Sequence, residues 1–156
     1  MMGGNGSFDK SIGGVPMNSR THTDTGLKID GHKVVINNEK DTQAKNIMNS
    51  NSDSPIYIIG HTNRDHKIVI HSVNVFDGHH IKMEINIKYD ANGRILAYNG
   101  KEKNSHCHYW QQDANGNMSR KPTGNAHERI PKEYAALLQS IDRFNKQNHK
   151  FYGKHK

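Results

Sequence analysis

The stretch Ser105-His106-Cys107-His108-Tyr109-Trp110-Gln111 sets two histidines two positions apart and holds the chain's single cysteine and single tryptophan. A third histidine, His127, stands directly before Glu128 and Arg129 in a polar segment downstream. Metal-free RNA cleavage needs a base to take the 2'-hydroxyl proton, an acid to protonate the leaving 5'-oxygen, and cations where charge builds on the phosphate. Imidazoles titrate near neutrality and a guanidinium stays charged, so His106, His108, His127 and Arg129 form a candidate catalytic set. Arg64, Lys82, Lys101, Lys103 and Arg120 are candidate phosphate contacts. Trp110 is a candidate stacking platform for bases, with Tyr98 and Tyr109 beside it.

Two other chemistries use the same residues. His-x-His on a strand projects both imidazoles to one side, and His127 or Asp113 would complete a three-ligand catalytic zinc site. The chain has no HExxH helix and no paired cysteines, so the metal-free scheme is preferred, with no metal and no cofactor. A basic sheet face with aromatic platforms is also enough for a noncatalytic nucleic-acid- or partner-binding module. Each residue has a plainer structural role as well: the histidines as a solvated strand face, His127 as a capping residue, Arg129 as the partner of Glu128 or Glu133, and Trp110 and Cys107 as core.

Seen along a strand, His106, His108 and Trp110 share one face and Ser105, Cys107, Tyr109 and Gln111 the other. The elements around them follow from pattern. Leu27 to Asn37 reads as a hairpin turning at Asp30-Gly31. Residues 37–51 suggest a short helix with Ala44, Ile47 and Met48 on one side. Strands are expected over 55–61, 66–76, 94–99 and 105–111, and the clearest covers 81–89. There Ile81, Met83, Ile85, Ile87 and Tyr89 alternate with Lys82, Glu84, Asn86 and Lys88, giving one buried and one wet face. Pro131 opens a helix in which Tyr134, Leu137, Leu138, Ile141 and Phe144 recur at helical spacing. The expected fold class is α+β: a twisted antiparallel β-meander of four to five strands, with the C-terminal helix and the short N-terminal helix packed on one face.

The 156 residues suggest one domain over 27–149. It is preceded by a flexible Gly/Ser/Asn/Thr-rich arm, 1–26, with too few apolar residues to offset the entropy of ordering, and followed by a basic tail, 150–156. The net charge of +7 favours an anionic partner, RNA or another nucleic acid. At 32% hydrophobic residues and a mean hydropathy of -0.95, no apolar run long enough to cross a membrane is present. The N-terminus lacks a secretory pattern and the lone cysteine cannot form an internal disulfide, so a cytoplasmic protein without a membrane partner is expected. No phosphate-binding GxxxxGK[ST] loop, GxGxxG turn or GxSxG nucleophile elbow occurs.

Taken together, the opening "MGGNGS", the β-meander, the strand "HCHYW" and the run "HERIPKEYAALLQSIDRFN" resemble small proteins of Gram-positive phages and mobile elements. Those look related to polymorphic-toxin nucleases of the barnase, EndoU, colicin and RelE type. The resemblance is one of plan, over about residues 55–149. It implies an antiparallel sheet with helices on one face and metal-free RNA cleavage, with His106 or His108 as base or acid, His127 as its counterpart and Arg129 as phosphate stabiliser. An immunity-type inhibitor protein is then a further candidate partner.

Overall fold

The structure is a computed structural model. It describes residues 14–16, 21–38, 46–49, 55–78, 80–99, 101, 103–116, 118–121 and 127–152. The strands are β1 Gly14–Pro16, β2 His22–Ile29, β3 His32–Asn37, β4 Asn46–Asn49, β5 Ile56–Thr62, β6 Ile68–Asp77, β7 His80–Asn86, β8 His106–Gln112 and β9 Met118–Arg120. A 3-10 turn, Lys132–Tyr134, leads into the helix α1, Ala135–Lys146.

This is not the expected meander. The main path of the sheet holds seven strands in the order β1-β4-β7-β6-β5-β3-β2, and it is mixed, because β3 pairs parallel to β5 and β1 parallel to β4. Parallel neighbours need a long crossover rather than a tight turn, and the segment between Asn37 and Ile56 supplies one. The second edge of β7 is shared. Its first residue, His80, pairs with Asn49 of β4, while Met83–Asn86 pair antiparallel with β8.

The expected short N-terminal helix is also absent where it can be checked. Residues 46–49, which include Ile47 and Met48, form β4, and the preceding residues 39–45 lie outside the described set. Two apolar residues flanked by asparagines cannot offset helix nucleation, whereas one more strand completes hydrogen bonds on the sheet. The expected strand at 94–99 is reduced to a bridge between Tyr89 and Ile95. Strand β2 begins at His22, inside the segment read as an arm, and β1 falls there too. At the other end, Lys150 bridges Lys67 and Phe151 packs against the core.

Two cores flank the sheet. On one face Val34, Ile36, Ile58, Ile70, Val73, Met83, Ile85 and Cys107 meet Leu137, Leu138, Ile141 and Phe144 of α1. The stripe predicted for the helix is therefore the face it buries, each aliphatic side chain contributing roughly 1.5–3 kcal/mol. That both Ile70 and Val73 face the helix follows from an irregularity in β6: Gly60 pairs with Ile70 but Ile59 with Ser72, so His71 is an extra residue and the alternation resets. On the other face Val35, Tyr57, Ile59, Phe76, Ile81 and Trp110 pack together, with the Tyr57 and Phe76 rings edge to face at 5.8 Å. The face expected to be wet on β7 is covered as well, for Glu84 and Asn86 are both buried. The Asp30-Gly31 hairpin turn is as expected, both residues having the positive φ that a two-residue turn of this kind requires.

Candidate functional site

The covered polar part of the second face is built in rows across the sheet. Ser72 of β6 pairs with Asn86 of β7, which pairs with His106 of β8; Asn74 pairs with Glu84, which pairs with His108. The outer edge of β8 is divided between two partners. Its second half pairs with β9, placing Arg120 opposite Trp110, while Cys107 exchanges both backbone hydrogen bonds with Glu128 at 2.8 and 2.9 Å. In that register the side chain of Glu128 follows Cys107 to one face, and His127 falls on the other beside His106 and His108.

The result is a cluster of three imidazoles. Ring centroids are 5.0 Å apart for His106 and His108, 4.5 Å for His106 and His127, and 4.9 Å for His108 and His127. One ring nitrogen from each can be chosen so that all lie within 4.8 Å of one another, and this is the one group of potential metal-ligating side chains of that kind among the described residues. His106 and His108 are 3% and 5% exposed, and His127 is half-buried.

His106 is held in one tautomer. Its Nδ1 lies 2.9 Å from the carbonyl oxygen of Asn104, which can only accept, so Nδ1 carries the proton and Nε2 presents a lone pair. The Asn86 amide approaches that lone pair at 3.4 Å. Burial lowers the His106 pKa, the bond to Asn104 partly offsets this, and the neighbouring His127 and Lys88 lower it again. The neutral imidazole is the favoured form.

Next to the cluster, Glu84 is fully buried. Its Oε1 accepts from Trp110 Nε1 at 3.0 Å and from Arg120 Nε at 2.7 Å, tying β7, β8 and β9 together on the histidine face.

Of the residues singled out from sequence, His106, His108 and His127 converge. Arg129 is exposed at the same edge, and Lys101 and Lys103 are exposed on the loop that enters β8. Lys82 is exposed on β7. Trp110 is 6% exposed and committed to the second core, so it is not an open platform for bases. Its indole is too large an apolar surface to leave in water beside Tyr57 and Phe76. Arg120 is paired with Glu84. Arg64 belongs to the tip of the β5–β6 turn, which is tied to the residues following α1, where His66 accepts from Phe151 N at 2.9 Å. It does not join the cluster. Asp113, the other candidate zinc ligand, is exposed in the β8–β9 turn. Cys107 faces α1, and burial pushes its thiol up to about 11, which leaves it a small core residue and not a nucleophile.

Sequence reasoning missed Glu84, Asn86 and Asn104. The signal for the first two was present, since period-two alternation in an antiparallel partner puts them across from His108 and His106. Nothing in the sequence announces that the Asn104 carbonyl holds an imidazole. No helix among the described residues is long and apolar enough to cross a membrane. Comparison of the chain with protein families, with curated proteins and with solved structures finds no match.

Proposed function

We propose that the chain is a ribonuclease, cleaving phosphodiester bonds at the cluster of His106, His108 and His127. The observation that carries this reading is the meeting of His127 with the His-x-His pair of β8, their rings 4.5 and 4.9 Å away. Residues distant in sequence whose types suit phosphoryl chemistry share one space, with a half-buried member as the route in from solvent.

The surroundings support an anionic substrate. Arg129, Lys88, Lys101 and Lys103 are all exposed, and Lys88 is close enough to act electrostatically on His106. In a chain of net charge +7 these cations would draw a polyanion towards the histidine edge. His106 and His108 are buried and His127 is half-buried, and the exposed Arg129, two residues beyond His127, would supply positive charge for the non-bridging oxygens. A toxin-like role on a mobile element, with an immunity-type partner, belongs to the same proposal and rests on the resemblance of the runs "HCHYW" and "HERIPKEYAALLQSIDRFN" alone, since the sheet is mixed and not a meander.

The test is cleavage of labelled total RNA by purified chain, beside the His106→Ala/His127→Ala double variant. Cleavage by the wild type and none by the variant is expected. Salt-sensitive RNA binding without cleavage would replace the ribonuclease with a noncatalytic binding module.

A further inference from the structure

We propose that His106, His108 and His127 bind a divalent transition-metal ion of the zinc class, leaving one coordination position open. The site stands on geometry; its use in cleaving RNA rests on the ribonuclease reading above.

Four observations lead to the ion. First, the three nitrogens already lie within 4.8 Å of one another. A tetrahedral ion with metal–nitrogen bonds of roughly 2.0–2.1 Å holds its ligands about 3.3 Å apart, so side-chain rotations of about an ångström close the site. Second, the Asn104 carbonyl fixes the His106 proton on Nδ1 and leaves Nε2 as the donor atom, the outer hydrogen bond that metal-bound histidines characteristically make. The Asn86 amide, at 3.4 Å, is a long contact that an ion would displace. Third, the elements supplying the ligands are tied together: β8 bonds to the His127 segment through Cys107 and Glu128, and to β7 through its ladder. Fourth, an all-imidazole set suits zinc, cobalt, nickel or copper and suits neither magnesium nor calcium, which require oxygen ligands.

The same compactness disfavours a base and acid working alone. In an in-line displacement the attacking and leaving oxygens lie on opposite sides of phosphorus, and the groups serving them must bracket it. Here the three nitrogens gather on one side. Three protein ligands leave a fourth position for water, whose pKa falls to about 7 on such an ion. The water loses one proton to solvent, its oxygen bonds to phosphorus, the bond from phosphorus to the leaving ester oxygen breaks, and that oxygen takes a proton from solvent. One water is consumed per bond cleaved.

The untagged full chain, stripped with EDTA and dialysed, should take up one zinc per chain in calorimetry. With cobalt(II) it should develop the intense visible bands of four-coordinate cobalt. His127→Ala changes a half-buried side chain, and the metal-free variant should melt with the metal-free wild type while its affinity falls by at least about 10-fold, the low end of the loss seen when even an outer-shell partner is removed. Should it melt early, His127→Gln serves in its place. Absence of saturable zinc and cobalt binding in the wild type, or undiminished binding in the folded variant, overturns the site. The two proposals separate cleanly. EDTA-resistant RNA cleavage would remove the ion from the reaction and leave the ribonuclease standing, whereas stoichiometric binding with no RNA cleavage at any added zinc or cobalt would leave the ion and remove the ribonuclease.

Discussion

Replacing Arg120 with alanine tests whether the Glu84 pair braces the histidine face. The Glu84 carboxylate is 0% exposed, while 35% of the Arg120 side chain reaches solvent, and the two meet at 2.7 Å. Breaking a wholly buried pair from one side costs about 3–5 kcal/mol, because a charge is left without compensation. Partial exposure of the arginine moderates this, so Arg120→Ala should lose roughly 2–4 kcal/mol, at the lower part of that range and just below it. With a urea m-value of about 2 kcal/mol/M, the middle of the range for small proteins, the midpoint should fall by about 1–2 M. Glu84→Gln keeps an acceptor for Trp110 and removes the buried charge, so the double variant should be less destabilised than the two single losses added, with a coupling of about 1 kcal/mol or more. Equilibrium urea denaturation followed by tryptophan fluorescence reads all four proteins through Trp110, which touches the same carboxylate. An Arg120→Ala midpoint indistinguishable from wild type would refute the brace and, with it, the claim that β9 is held by this ion pair.

Three further predictions concern the frame around the site. Gly60→Ala should destabilise by about 1–3 kcal/mol, as overpacking does, because a Cβ there would come 2.6 Å from the Val69 carbonyl oxygen, a backbone atom that cannot swing aside; thermal melting reads it. Ile141→Ala should cost about 2–5 kcal/mol in urea denaturation, since the fully buried side chain packs α1 on the sheet behind Cys107. Tyr89 donates to the Ile70 carbonyl and accepts from Asn145 Nδ2 at 3.0 Å, and burial pushes its hydroxyl up to about 12. The unfolded chain ionises near pH 10, so the stability this group contributes is complete below pH 10 and is lost between about pH 10 and 12. Tyr89→Phe should be less stable at pH 8 and should lose stability less steeply on alkalinisation, as followed by urea midpoints across that range.

How much the sequence revealed depended on whether a pattern was local. The helix stripe Leu137, Leu138, Ile141 and Phe144 depends only on spacing within one turn or two, and it faces the core as expected. The Asp30-Gly31 turn is likewise local. The strand order depends on pairings between distant segments, such as Lys33–Ile36 with Tyr57–Gly60, and nothing in either run states that they lie parallel. The alternation of β7 placed Met83 and Ile85 on the helix side, but a register shift between Val75 and Phe76 turns Ile81 into the second core; Glu84 and Asn86 were taken as wet because polar side chains usually are, and both are buried. At the site, the facing of His106, His108 and Trp110 was readable from period two alone. That Arg120 would be spent on Glu84, and that Trp110 would be interior, depended on β9 and on the second layer.

The most direct measurement is cleavage of labelled RNA by the stripped, untagged chain, with zinc added or EDTA present, beside His106→Ala/His127→Ala in the same buffers. Cleavage by the wild type with zinc, none with EDTA, and none by the variant with zinc is the expected result. Equal cleavage by wild type and variant would contradict the assignment of the reaction to the three histidines.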